Sequence, residues 1–282
     1  MLKMIQCAKC SGFCYGVKRA IDIVTERLKE KGKVYSLGPL IHNQIVIRKL
    51  EKNGLRIVDN PSQIRGDLII RSHGLHPLLI EEVKKRNLRI IDATCPFVKM
   101  VQRRVKFLIT NGYEVIIVGD PNHPEVRTLA GFARDEAIIV NNSSKFKVQS
   151  LKLGTKKVGV VSQTTINSKD YQKTVAQLYK KIEPEEFLIF DTICEITEKR
   201  QKEVSVLSRK VDAFLVLGGK ESSNTRTLYE MCRKRGPAFL VEAPSQVKKE
   251  WFMGMGAVGI LSGTSTPDWI VKEAIDTLEK MT

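Results

Sequence analysis

Three kinds of strand ending recur three times along this chain in the same order, and that recurrence leaves few folds open. Apolar runs of strand length fall near 2–6, 33–37, 55–58, 67–71, 88–91, 114–118, 137–140, 157–161, 187–190, 211–217, 238–241 and 256–261. Longer segments of helical period separate them, which is the pattern of α/β structure with parallel sheets. Val17, Ala20, Ile21, Val24 and Leu28 mark one amphipathic helix face, and Phe97, Val101, Val105 and Leu108 another. The runs group in fours. The first strand of each group ends in a glycine turn: LGP at 37–39, VGDP at 118–121 and LGGK at 217–220. The third ends at a serine opening a polar loop: Ser72, Ser162 and Ser262. The fourth runs into a cysteine, in DATC at 92–95 and DTIC at 191–194. For the third group, the strand leading to a cysteine is the chain's own first, which precedes Cys14. Chance supplies one such match, but not three loop classes in register. The expectation is three similar α/β domains: 14–95, 96–193, and a third from 1–13 with 194–282.

Composition narrows the function. With 42% hydrophobic residues, the 282-residue chain can bury a core. No run of about 18 apolar residues suggests a membrane span, and the first residues lack a signal peptide's apolar stretch. The expected location is the cytoplasm, where six cysteines point to metal binding or catalysis rather than disulfides. The net charge of +16 fits nucleic acid, an anionic substrate or an acidic protein partner. Its basic runs (84–86, 102–104, 155–157, 233–235) come without a basic tail, zinc-finger spacing or aromatic RNA-binding motif. They read as solvated faces, and no nucleic-acid partner is expected.

In parallel α/β sheets, ligands bind at the carboxyl ends of the strands, and the unusual residues of this chain fall there. The first loops carry His42, then His123 and Glu125, then Ser222, Ser223 and Asn224. The third carry His73, then Gln163 and Thr164, then Ser265, and the fourth carry the cysteines. Units packed about a pseudo-threefold axis would turn these loops to one cavity. Three thiolates at one point make a metal site. Zinc usually wants a fourth protein ligand, or a water at a catalytic site. A cubane iron–sulfur cluster normally takes four cysteines, so three would leave one iron open to substrate. The histidines, with SSNT (222–225) and SGTS (262–265), supply donors suited to phosphate oxygens. Glu125 is the one acid among them.

Together SGFCYGVKRAI (11–21), IHN (41–43), RSHG (71–74), DATCP (92–96), NHPEV (122–126), SQTT (162–165), DTICEITEKRQ (191–201), SSNT (222–225) and STPDWI (265–270) resemble the 4-hydroxy-3-methylbut-2-enyl diphosphate reductase (LytB) family over nearly the whole chain. That resemblance implies a trefoil of three α/β domains, each with a small, mostly parallel sheet, around a central [4Fe–4S] cluster. It implies reductive dehydroxylation of the allylic diphosphate to isopentenyl and dimethylallyl diphosphates. By matching motif, Cys14, Cys95 and Cys194 would ligate the cluster, leaving one open iron. His42, His73, His123, Ser222, Asn224 and Ser265 would hold the diphosphate, with Ser223 close by. Glu125 and Thr164 would deliver a proton. Electrons would come from an acidic ferredoxin- or flavodoxin-like donor.

The chain departs from the family pattern at Cys7 and Cys10, which match no family ligand, at Thr128, where Gly is usual, and at SGTS in place of the commoner AGAS. Cys232 reads as a packed thiol and His76 as structural. Two rivals remain at this level: an iron–sulfur carrier without a substrate, and a basic nucleic-acid-binding protein with a structural metal.

Overall fold

The computed structural model of the chain describes residues 2–141 and 156–281. The basic run at 155–157 therefore begins on a residue outside those described. β1 (Met4–Cys7) opens the chain and is followed by β2 (Val34–Leu37), β3 (Leu55–Val58), β4 (Leu68–Ile70) and β5 (Ile90–Asp92). The next four strands are β6 (Glu114–Val118), β7 (Ile138–Val140), β8 (Lys157–Ser162) and β9 (Glu186–Ile189). The last three are β10 (Ala213–Leu217), β11 (Ala238–Val241) and β12 (Ala257–Ser262). They make three four-stranded sheets, ordered β3-β2-β4-β5, β7-β6-β8-β9 and β11-β10-β12-β1. Every pairing is parallel. Counted within its own group, each sheet has the order second, first, third, fourth. The third sheet takes its fourth strand from the start of the chain, with Met4 opposite Ala257.

The strands alternate between two apolar layers, as parallel sheets covered on both faces require. In the middle sheet, Ile116, Val118, Val158 and Val160 pack with Tyr171, Val175 and Leu178 of α6 (Ser168–Ile182). Val115, Ile117 and Val161 point the other way, to α4 (Pro96–Thr110) and α5 (Pro124–Phe132). The third sheet repeats the scheme. Leu215, Val258 and Ile260 meet α9 (Asp268–Glu279), while Phe214, Val216 and Leu261 meet α7 (Glu195–Leu207) and α8 (Ser223–Arg233). Cys232 lies in that second layer, fully buried, its thiol pushed up to about 12 by burial. It is a core residue.

The helices start where the sequence says they should. α3 (Pro77–Lys85), α4 and α5 each open on proline, whose missing N–H is no loss at a first helical position. His76 caps α3 by accepting from Leu78 N, and its Nε2 meets Asp135 at 3.1 Å. This is the structural role expected for it.

By packing, the chain divides into two compact units: one from 1–18, 41–49 and 195–282, the other from 19–40 and 50–194. The first holds the β11-β10-β12-β1 sheet and the second holds the other two.

Candidate active site

The loop ends repeat as closely as the strands. After β2, β6 and β10, Gly38, Gly119 and Gly218 donate their N–H groups to the last residues of β3, β7 and β11: Val58, Val140 and Val241, at 2.9–3.0 Å. Two residues beyond β4, β8 and β12, the carbonyls of Ser72, Thr164 and Thr264 accept from the N–H groups of Cys95, Cys194 and Cys14, at 3.0, 2.9 and 3.0 Å. Each cysteine stands immediately before a helix: α1 (Tyr15–Lys31), α4 and α7. Each is half-buried and free of any disulfide. The recurring aspartate of DATC and DTIC has a local task. Asp92 Oδ1 accepts from Thr94 N at 2.9 Å, and Asp191 Oδ1 from Ile193 N at 3.2 Å, making the turn that delivers the cysteine.

In the unit holding residues 50–194, four of the expected polar residues come together. His123 caps α5, its Nδ1 accepting from Glu125 N at 3.2 Å. In the neutral ring the proton is thereby assigned to Nε2. The His73 ring stands edge-on to it, centroids 5.3 Å apart. Glu125 is 1% exposed. Its Oε1 accepts from Thr164 N at 2.7 Å, and its Oε2 pairs with Thr164 Oγ1 at 2.8 Å. Burial pushes this carboxyl up to about 7, while the two bonds from Thr164 pull the other way.

The other unit gathers the rest. Ser222 caps α8 by accepting from Thr225 N at 3.3 Å, and Ser223 is the first residue of that helix. Asn224 is 1% exposed, and its Oδ1 accepts from Thr264 N at 3.1 Å. That bond fixes the amide, and Nδ2 has no partner among the described residues. Ser265 Oγ donates to the His42 carbonyl at 3.0 Å. A side chain at Gly219 would meet the same carbonyl at 2.4 Å, which explains the second glycine of LGGK.

A sequence profile of the family described as LytB protein matches residues 5–279. The chain belongs to the LytB family. It is 38% identical over 276 residues to 4-hydroxy-3-methylbut-2-enyl diphosphate reductase of Geobacter metallireducens, covering 97% of this chain and 96% of that one. It is 41% identical to the reductase of the same name from Clostridium perfringens, covering 97% and 98%. Among solved structures, it is similar to E-1-hydroxy-2-methyl-but-2-enyl-4-diphosphate reductase from Plasmodium falciparum, with a TM-score of 0.93 at 30% identity over 99% of this chain and 88% of that one. A second, (E)-4-hydroxy-3-methyl-but-2-enyl diphosphate reductase, described as the terminal enzyme of the non-mevalonate pathway, matches at 37% identity with a TM-score of 0.70. It covers 99% of this chain and all of that one.

LytB proteins use an iron–sulfur cluster, and this chain's residues fit one. The candidate donors, Cys14, Cys95 and Cys194, are soft thiols, the ligand type such clusters take. All three occupy the same backbone position, before a helix whose N-terminal end favours negative charge. Cys7 and Cys10 do not share that position. Cys7 Sγ lies 3.3 Å from Ser11 Oγ, and Cys10 N donates to Glu203. The departures from the LytB pattern are absorbed locally. Thr128 is buried on α5, its methyl against Gly74 of RSHG.

Sequence reasoning placed Gln163 in a loop but gave it no task. Its Oε1 accepts from Asp120 N at 3.1 Å and its Nε2 donates to Thr165 at 2.8 Å, tying the histidine loop to the Thr164 loop. No helix among the described residues is long and apolar enough to cross a membrane.

Proposed function

We propose that this chain reductively removes the allylic hydroxyl of (E)-4-hydroxy-3-methylbut-2-enyl diphosphate, giving isopentenyl and dimethylallyl diphosphates in the last step of the methylerythritol phosphate route to isoprenoids. Membership of the LytB family supports this reading. The local observation that carries it is the buried Glu125–Thr164 pair beside His123. The reaction consumes two electrons and two protons, and the hydroxyl leaves as water.

Cys14, Cys95 and Cys194 are the proposed ligands of a [4Fe–4S] cluster with one iron free of protein ligands. When bound, such a cluster supplies Lewis-acid polarisation of the hydroxyl and a conduit for electrons. The chain's own residues do the rest. His42, His73 and His123 donate to the diphosphate, His123 through Nε2 because Nδ1 is engaged with Glu125 N. Asn224 gives its Nδ2–H, and the N-terminus of α8 with Ser222 and Ser223 adds further donors. Ser265 spends its hydroxyl on the His42 carbonyl, so it reaches phosphate by rotating its proton away.

Glu125 holds the proton for the departing hydroxyl. A main-chain N–H can only donate, so the bond from Thr164 N fixes Oε1 as the acceptor. The acid proton then sits on Oε2, facing a Thr164 hydroxyl that both accepts and donates. Thr164 thus takes a proton from Glu125 and passes one on. A carboxyl held near 7 is half protonated at neutral pH, where general acids work best.

The same reading divides the chain into three domains, 14–95, 96–193, and 1–13 with 194–282. It assigns the enzyme to the reducing cytoplasm and names an acidic ferredoxin- or flavodoxin-like electron donor. The test is an anaerobic assay of cluster-loaded protein with the named substrate and a chemical reductant. Both five-carbon diphosphates are expected, and a fully loaded preparation that makes neither refutes the assignment.

A further inference from the structure

We infer that Arg200 is a positioning residue for the cluster: a buried cation that pins the loop before Cys14 and supplies the positive charge facing it. This inference rests on the cysteine assignment above. Arg200 lies on α7, the helix that Cys194 precedes, and is 3% exposed. Its Nη2 donates to the Gly12 carbonyl at 2.6 Å, and its Nη1 donates to the Ser262 carbonyl and to Ser262 Oγ. Ser262 Oγ also accepts from Gly12 N at 3.0 Å, so the guanidinium and one serine grip both sides of Gly12. Gly12 has φ +78°, and a side chain there would collide with Asp268, so the loop has one way to run. Two residues on is Cys14, whose N–H is bonded to the Thr264 carbonyl. Arg200 therefore sets the Gly12 end of the Gly12–Cys14 segment against the end of β12, and the Thr264 carbonyl holds the other end.

The charge is the second observation. Among the described residues Arg200 makes no ion pair, and its Nε has no partner. Burial weakens its hold on its proton, while Cys14, then Cys10, Glu203 and Asp268, favour the charged form from further away. A buried guanidinium without a carboxylate against it is costly. Cys14, as a thiolate on iron, brings the missing negative charge to this loop. Carbonyl acceptors alone would have been served equally well by a neutral donor.

The test uses anaerobically purified, cluster-loaded Arg200→Gln and Arg200→Lys, with Cys14→Ala as reference. Iron per chain, the rate of iron loss to a chelator and the midpoint potential are read, none of which needs turnover. Iron loss should accelerate in both arginine variants, because the fork that pins Gly12 is gone. The potential should shift to more negative values in Arg200→Gln and stay near wild type in Arg200→Lys, which keeps the charge. A wild-type potential in Arg200→Gln overturns the inference. If that variant does not fold, Arg200→Lys decides through iron loss: faster release at an unshifted potential supports the inference, and wild-type release or a negative shift in potential overturns it. Full iron content in Cys14→Ala would instead sink the cysteine assignment, so the two failures are distinguishable.

Discussion

Both carboxylate oxygens of Glu125 are held by a single residue, Thr164, whose carbonyl in turn receives the N–H of Cys194. The proposed proton donor and one of the proposed cluster cysteines therefore hang on one threonine. Displacing the backbone of residue 164 moves both.

Glu125→Gln keeps the size and hydrogen-bonding reach of the side chain but has no acid proton. Iron content and substrate affinity should survive. Single-turnover reduction under saturating substrate should slow by roughly 10²–10⁴-fold, the usual worth of a positioned general acid. Thr164→Val should slow it less if water enters the relay. A near-normal rate in Glu125→Gln would assign the proton to another group.

The raised Glu125 pKa also makes stability depend on pH. Between about 4.5 and about 7 the folded chain keeps a proton here that the unfolded chain has lost. The contribution is therefore full below about 4.5 and is lost as pH rises through 7, in total about 3 kcal/mol by linkage. Glu125→Gln should accordingly gain on wild type in urea denaturation of the metal-free protein at pH 8 and lose that gain at pH 5. A difference independent of pH would show that Glu125 titrates normally. The single-turnover rate should likewise fall above pH 7, as the acid form disappears.

Cys14→Ala, Cys95→Ala and Cys194→Ala should each abolish stable iron binding. Cys7→Ala, Cys10→Ala and Cys232→Ala should retain it, since those thiols stand on Ser11, in the turn held by Glu203, and in the core. Iron analysis of the six purified variants decides, and loss of iron in Cys10→Ala would reopen the ligand set.

Asn224→Asp is the sharpest probe of the anion site. It preserves the acceptor for Thr264 N but replaces the Nδ2 donor with a negatively charged oxygen. Substrate affinity should fall by more than in Asn224→Ala, where only a donor to a charged group is lost, roughly 10–100-fold. Calorimetric titration with the diphosphate substrate separates the two. Equal losses would place Asn224 away from the phosphates.

Electron delivery by an acidic protein should be salt-sensitive, because steering fades as the Debye length shrinks to about 8 Å at physiological ionic strength. Turnover with such a donor should fall as salt rises, and much less with a small neutral reductant. Equal sensitivity would point to substrate binding. Of the basic residues after the cysteines, Lys99 is paired with Asp92 and Lys199 with Glu195, whereas Lys18 and Arg103 are exposed.

The strands were legible because buried parallel strands are short, continuous apolar runs. The misplaced edges have local causes. Val211 extends the apolar run before β10, but the neighbouring Asp212 carboxylate is taken up by the N–H groups of Gly256 and Ala257, and pairing starts only at Ala213. Leu88 packs on the core from outside β5. The turns that deliver Cys95 and Cys194 were legible through their aspartates, which the segment before Cys14 lacks. Arg200 was not, because it stands beside Lys199 in the polar run EITEKRQ (195–201). A signal was there: Thr197, Arg200, Gln201, Val204 and Leu207 share one helical face, and all are buried. The Glu125–Thr164 contact joins loops far apart in sequence, and no local spacing announces it.

The pairing of Met4 with Ala257 also orders events in time. Cys14 leaves the ribosome before Cys95 and Cys194, yet the strand that precedes it has no partner until residues 257–262 have been made. Until then that segment is an unpaired edge with Cys14 close behind it. On the proposed ligand set, the third thiol is in place only when nearly all of the chain exists. Loading iron would then be a step for a finished polypeptide, and a nascent chain stalled before β12 would emerge with β1 unpaired and Cys14 unplaced.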